Sequence, residues 1–164
     1  MNFKTDLRMK RFLFFPMLLS VLMLLSCSND EDNEFEPILM CACYDGTDKI
    51  HSAEFMLFED CEYTGIEDKG ALTTLITKEG DKKPVLYYTY HNDDKGTFAT
   101  FNDAKVGRYV LVCKPKYNLF MAKRIEFKKE PALQGYSCDV QSLLDKYEWE
   151  TPKEAVVIDW VDYK

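Results

Sequence analysis

Asn118-Leu119-Phe120-Met121-Ala122-Lys123-Arg124-Ile125-Glu126-Phe127-Lys128 alternates more cleanly than any other stretch of the chain. Successive side chains of a strand point to opposite faces. Leu119, Met121, Ile125 and Phe127 therefore share one face, with Lys123 the exception, while Arg124, Glu126 and Lys128 turn to water. Just upstream, residues 109–114 set Tyr109, Leu111 and Cys113 against Val110 and Val112. A strand apolar on both sides belongs at the centre of a sheet and covered from both faces. Pro115 is expected to stop it.

Further upstream, residues 38–44 are apolar and end in the turn signal Asp45-Gly46. Residues 50–58 place Ala53, Phe55 and Leu57 on one face, so the two segments read as a hairpin. Residues 59–70, with their acids and glycines, read as a loop. Residues 71–77 are Thr-rich and β-prone, residues 85–90 dense in Tyr, and residues 97–101 a further short strand. His91-Asn92-Asp93-Asp94-Lys95-Gly96 between the last two is turn chemistry, because Asn, Asp and Gly tolerate positive φ. Short strands with turns at close intervals predict an all-β sandwich, not an α/β fold. The segment from Pro131 differs. Val140, Leu143, Leu144 and Tyr147 make one helical stripe, with Ser137 or Asp139 as cap and Thr151-Pro152 as its end. Residues 155–161 then read as a last strand, at the sandwich edge or in a second layer.

The N-terminus carries an address. Lys4, Arg8, Lys10 and Arg11 precede an apolar run over residues 12–25, the layout of a secretory signal peptide. The run is shorter than the roughly 20 residues that a spanning helix needs. Leu24-Leu25-Ser26-Cys27 resembles the lipobox of bacterial lipoproteins, which implies cleavage before Cys27 and lipid attachment to it. Each buried CH₂ of such a chain contributes about 0.8 kcal/mol, and several chains together hold firmly. Residues 28–36 are polar and acidic, a tether of about 30 Å when extended. Ser28 followed by acids resembles a surface-export signal of some Gram-negative bacteria. The expected place is the outer membrane, lipid-anchored and on the cell surface, with the periplasmic face as the alternative. The chain thus divides into a signal peptide (1–26), an anchor and tether (27–36), a sandwich (37–130) and a C-terminal helix and strand (131–164).

The 164 residues have a net charge of −7, and without residues 1–26 the remaining 138 carry −10. An acidic chain without a basic, aromatic-interleaved patch is repelled by phosphate backbones, so nucleic acid is not an expected partner. Beyond Cys27 stand Cys41, Cys43, Cys61, Cys113 and Cys138. An odd count in an exported chain leaves at least one free thiol or an intermolecular bond; buried thiols and one or two disulfides both remain open. Cys41 and Cys43 share a strand face, but no second ligand pair at zinc spacing follows, and no metal or cofactor is expected.

Two stretches carry a further resemblance. Tyr44-Asp45-Gly46, with Lys49-Ile50-His51-Ser52-Ala53-Glu54-Phe55-Met56-Leu57, resembles the opening of carboxypeptidase regulatory-like domains. Thr89 to Phe98, then Val106-Gly107-Arg108-Tyr109-Val110-Leu111-Val112 and Pro115-Lys116-Tyr117, resembles their most recognisable segment. The resemblance covers about residues 38–128 and implies a seven-stranded, transthyretin-like or Ig-like Greek-key β-sandwich. In it Gly96 and Gly107 would permit turns, and Phe98 and Tyr109 would fill the core. The family shares no catalytic residue, so none carries over.

Chemistry is sparse. His51 and His91 are the two imidazoles, and no nucleophile elbow, zinc-binding His pair or phosphate loop occurs. The spacing of Asn92, Asp94 and Gly96 is similar to a calcium loop, but the downstream Glu is missing and a turn explains the same residues. Aromatics remain. Tyr88 and Tyr90 share a strand face and Tyr87 takes the other, so Tyr88 and Tyr90, with Trp149 or Trp160, are the candidate ligand contacts for a glycan or partner protein. The plainer reading makes them core and edge aromatics. The expected function is non-enzymatic binding. The alternative is a structural or accessory subunit of an outer-membrane complex or fimbria-like assembly. Lipoprotein fimbrillins resemble the chain in leader and sandwich type, but the absence of Arg between Cys27 and Arg108 speaks against their Arg-directed maturation.

Overall fold

The computed structural model describes residues 36–50, 52–92 and 98–164. The signal peptide, Cys27 and nearly all of the acidic tether lie outside the described residues, as do His51 and residues 93–97 with Gly96. What is described is all-β and sandwich-like, with one short helix.

Its strands form three sheets. In the first, β1 (Ile38–Asp45) lies parallel to β11 (Leu133–Asp139) and antiparallel to β8 (Ala99–Phe101), while the two-residue β2 (Asp48–Lys49) closes a turn at its end. The second runs in the order β12 (Val156–Asp159), β10 (Leu119–Phe127), β9 (Gly107–Lys116), β3 (Ser52–Glu59), β7 (Tyr87–Asn92). The third contains β4 (Tyr63–Asp68), β5 (Thr73–Thr77) and β6 (Lys82–Pro84).

The five-stranded sheet is the middle layer. Phe55, Leu57, Leu111, Cys113, Met121 and Phe127 pack from one face onto Leu39, Cys41, Cys43 and Phe101 of the first sheet. Met56, Phe58, Val110, Val112, Phe120 and Ala122 pack from the other face onto Ile66 and Leu75 of the third. β9 is accordingly central and buried on both faces, as its two apolar alternations require. Each fully buried side chain of this size contributes about 1.5–3 kcal/mol by leaving water.

Several expectations need correction. Residues 38–44 and 50–58 do not form a hairpin. The Asp45-Gly46 turn pairs only β2 with the end of β1, and β3 then joins the facing sheet, because both strands bury apolar faces that are satisfied against each other. The loop expected over residues 59–70 contains β4. It escaped notice because Ile66 is its single fully buried apolar side chain and a bulge near Gly65 breaks its alternation. Pro115 does not end β9. The β9–β10 register shifts between Leu119 and Met121, and such a bulge absorbs the missing N–H. β10 alternates only from Lys123 onward, since Phe120 and Ala122 are buried beneath the third sheet.

Phe98 lies exposed outside the core, whereas Tyr109 is buried. Gly107 opens a strand and is not a left-handed turn residue; the turn at Gly46, with φ of 59°, is. The helix α1 (Gln141–Lys146) is capped at Val140 by neither Ser137 nor Asp139 and ends well before Thr151-Pro152. Asp139 works differently: its Oδ1 accepts from the N–H groups of Gly46 and Gln141, both at 3.0 Å, tying the first turn to the start of the helix. The C-terminal segment also supplies β11, which reading residues 131–164 as a helix and a strand omitted. β11 enters the first sheet, and β12 edges the middle one beside β10. Asn118, at φ 59° between β9 and β10, holds that segment by donating from Nδ2 to the Pro152 carbonyl at 2.8 Å.

Candidate binding cleft

The cleft follows from strand register. β3 pairs with β7 and β9 so that Tyr90, Glu54 and Lys114 form one row across the middle sheet, and Tyr88, Met56 and Val112 form the next. Both rows belong to the face that the third sheet covers. Met56 and Val112 are buried there, but the cover ends short of β7, leaving Tyr88 54% and Tyr90 48% exposed. Their ring centroids are 6.4 Å apart and tilted by 35°. Tyr87 takes the opposite face, edge-on to the ring of Tyr109, so the division of the three tyrosines follows the strand period.

Lys114 forms the floor. It continues the Val110–Val112 phase of an apolar strand and is 6% exposed, which demands a partner for its charge. Its Nζ lies 3.1 Å from Oδ2 of Asp68, a side chain with no exposed surface, and 3.8 Å from Oε1 of Glu54. Oδ1 of Asp68 accepts from Gly70 N–H and the Thr73 hydroxyl, each at 3.2 Å. The ammonium also lies 5.3 Å from the Tyr117 ring centroid and 5.9 Å from that of Phe120. The resulting opening holds about 370 Å³ between Tyr88, Tyr90, Tyr117, Glu54 and Lys116. Burial, then the charge of Glu54, raises the Tyr88 phenol, so it remains a hydrogen-bond donor at neutral pH. Exposed aromatic faces beside a fixed charge pair suit a ring-shaped polar ligand: faces for stacking, charged groups for hydroxyls.

The tryptophans do not join this site. Trp160 is 9% exposed and belongs to the core between the first and middle sheets, which removes it as a ligand contact. Trp149, 89% exposed after α1, stands outside the cleft lining. His91 is buried on β7 opposite Ala53, not displayed in a turn, because β7 runs on through it. The acidic spacing from Asn92 to Gly96 falls largely outside the described residues. Asp68 and Lys114 were missed from sequence. A lone lysine in phase with Val110 and Val112 was the available signal, whereas Asp68 sat in what read as a loop.

All five described cysteines are free thiols: Cys41, Cys43, Cys113 and Cys138 buried, Cys61 half-buried. Of the two open readings, buried thiols hold. Cys41 and Cys43 share the inward face of β1. Sequence spacing did not foresee that the Sγ atoms of Cys43, Cys113 and Cys138 all lie within 4.8 Å of one another. Cys138 also donates to the Ala42 carbonyl at 3.7 Å. A hydrogen bond from Cys113 holds the Cys43 thiol below its usual range, while burial pushes Cys113 up. Burial also raises Cys41. Compared with family models, curated proteins and solved structures, the chain matches none.

Proposed function

We propose that this chain is a lipoprotein anchored through Cys27 in the outer membrane, displaying its β-domain at the cell surface to bind a glycan without turning it over. The observation that carries the binding reading is the pair of half-exposed rings, Tyr88 and Tyr90, on one strand face beside the buried Lys114–Asp68 pair. A sugar ring presents C–H groups to an aromatic face and hydroxyls to charged groups, and this cleft offers both in its tyrosines and in Glu54 and Lys116. Anchoring is supported by Leu24-Leu25-Ser26-Cys27 and the acidic residues behind it. At finer grain, the domain is proposed to be transthyretin-like, as in carboxypeptidase regulatory-like domains, on the strength of residues 44–57 and 89–117.

Binding is tested by presenting cells displaying the full chain, and cells displaying Tyr88→Ala/Tyr90→Ala, to an array of surface polysaccharides. Retention of a ligand by the wild type and its loss by the double variant is expected; equal retention would remove the cleft from the reading. For the anchor, palmitate labelling should vanish in Cys27→Ala, and protease added to whole cells should shave the wild-type protein. Labelling that persists sinks the anchor, and protection moves the domain to the periplasmic face.

The accessory-subunit reading has one observation in its favour. An aromatic as exposed as Trp149 is the kind of residue that dominates protein contacts. Crosslinking on intact cells followed by recovery of a stoichiometric outer-membrane partner, lost in Trp149→Ala, would prefer it.

A further inference from the structure

Three thiols meet on the far side of the middle sheet, away from the binding cleft. Cys43 and Cys138 are register partners on the parallel pair β1–β11. Cys113 reaches them from β9 in the facing sheet. Each is enclosed, with 1% exposure or less. They come from residues 43, 113 and 138, so only the closed sandwich assembles them.

The spacing suits one small ion. Three sulfurs each about 2.3 Å from a common centre sit about 4 Å apart. The sulfurs here already lie within 4.8 Å of one another, so gathering them takes a movement of less than about 1 Å. The number of donors narrows the choice. Among the described residues no fourth Cys, His, Asp or Glu joins the group. A structural zinc site is closed by four ligands, and an open one keeps its fourth position for water. Here the neighbours are apolar, with Leu119, Met121, Val140 and Leu143 in the same core, and solvent does not reach the sulfurs. Soft thiolates in a dry, three-donor setting select Cu(I).

We propose that Cys43, Cys113 and Cys138 form a three-sulfur site for a soft monovalent metal ion, Cu(I) fitting best. Each sulfur that becomes a thiolate ligand gives its proton to solvent, and the ion remains monovalent, so no electron moves. Because the sulfurs are sealed, the ion enters as the chain folds or opens locally, and once bound it clasps the first and middle sheets together.

The test refolds the full chain without oxygen in the presence of an acetonitrile complex of Cu(I), then challenges it with bicinchoninate, a Cu(I) chelator. One copper per chain should be retained, with a thiolate-to-copper absorption in the near ultraviolet and a raised melting temperature. Cys43→Ser and Cys138→Ala should each weaken retention more than about 100-fold, beyond the 10–100-fold that changes behind a ligand cost. Cys61→Ser should leave it unchanged. Loss of copper to the chelator by the wild type, or equal retention by Cys43→Ser, overturns the proposal. So does preference for Zn(II) from an equimolar mixture, or a disulfide among the three cysteines in protein isolated from cells. The wild-type measurements decide even if a variant fails to fold.

Discussion

Cys113 and Lys114 are neighbours on β9, yet they face different chemistry. Cys113 points toward the first sheet, into a dry core where two other sulfurs meet it. Lys114 points toward the third sheet, which supplies Asp68 and then stops, leaving a cleft of tyrosines beside the ion pair. One face is sealed by a complete layer, the other by a partial one. Coverage makes the difference: half-exposed tyrosines remain where the second cover ends.

The larger energetic stake lies on the Lys114 side, where the charge is buried. Asp68→Ala leaves a buried ammonium with only the more distant, half-exposed Glu54, and uncompensated buried charges cost about 3–5 kcal/mol. Urea unfolding should show that loss, while Asp68→Leu combined with Lys114→Met should recover most of it. If the double variant is as unstable as the single one, packing and not charge is the issue. On the thiol side, Cys113→Ala in metal-free protein removes only a buried sulfur and should cost about 1–2 kcal/mol, measured the same way. A larger loss would mean that the three thiols are stabilising without an ion.

A third ion pair sharpens the contrast. Asp60 takes two hydrogen bonds from Arg124, at 2.6 and 2.9 Å, where that guanidinium is exposed to water. The hydrogen bond from Arg124, with the charges of Arg124 and Arg108, holds the Asp60 carboxyl below its ordinary value despite some burial. Its stabilisation is therefore fully present above the unfolded-state value near about 4 and is lost as pH falls through the lower folded value. Asp60→Asn should lower stability above about pH 4 by the modest amount such a partly exposed pair carries. Its curve should converge with that of the wild type as pH falls, giving a flatter acid limb. An unchanged acid limb would show the pair to be inert. Smallest of all in stability, Tyr88→Ala/Tyr90→Ala should move the urea midpoint within the range of ordinary surface changes, about 0.5 kcal/mol per site. A large drop would return both rings to the role of edge packing.

Legibility divided along the same line. The period of two in residues 109–114 was enough to place β9 at the centre, and the same period over residues 87–90 separated Tyr87 from Tyr88 and Tyr90. It did not reveal β4 or β11, because strands with few buried apolar residues carry little alternation and are held by partners distant in sequence. Nor did it separate β1 from β3: a turn signal fixes a reversal of the chain, not whether the next strand stays in the same sheet. For the cleft, exposure of Tyr88 and Tyr90 was a choice between two readings until the reach of the β4–β5–β6 layer decided it.

Alternation and turn chemistry, which act over a few residues, determined by themselves that this chain is all-β, that β9 is buried on both faces and that Cys41 and Cys43 share a side. Tertiary structure alone decided which distant residues meet: Asp68 beneath Lys114, Cys113 and Cys138 against Cys43, Trp160 inside and Trp149 outside. The reason is physical. Local periodicity is set by backbone geometry, whereas these encounters depend on how three sheets stack, and each is a compromise between burying apolar faces and finding partners for the polar groups buried with them.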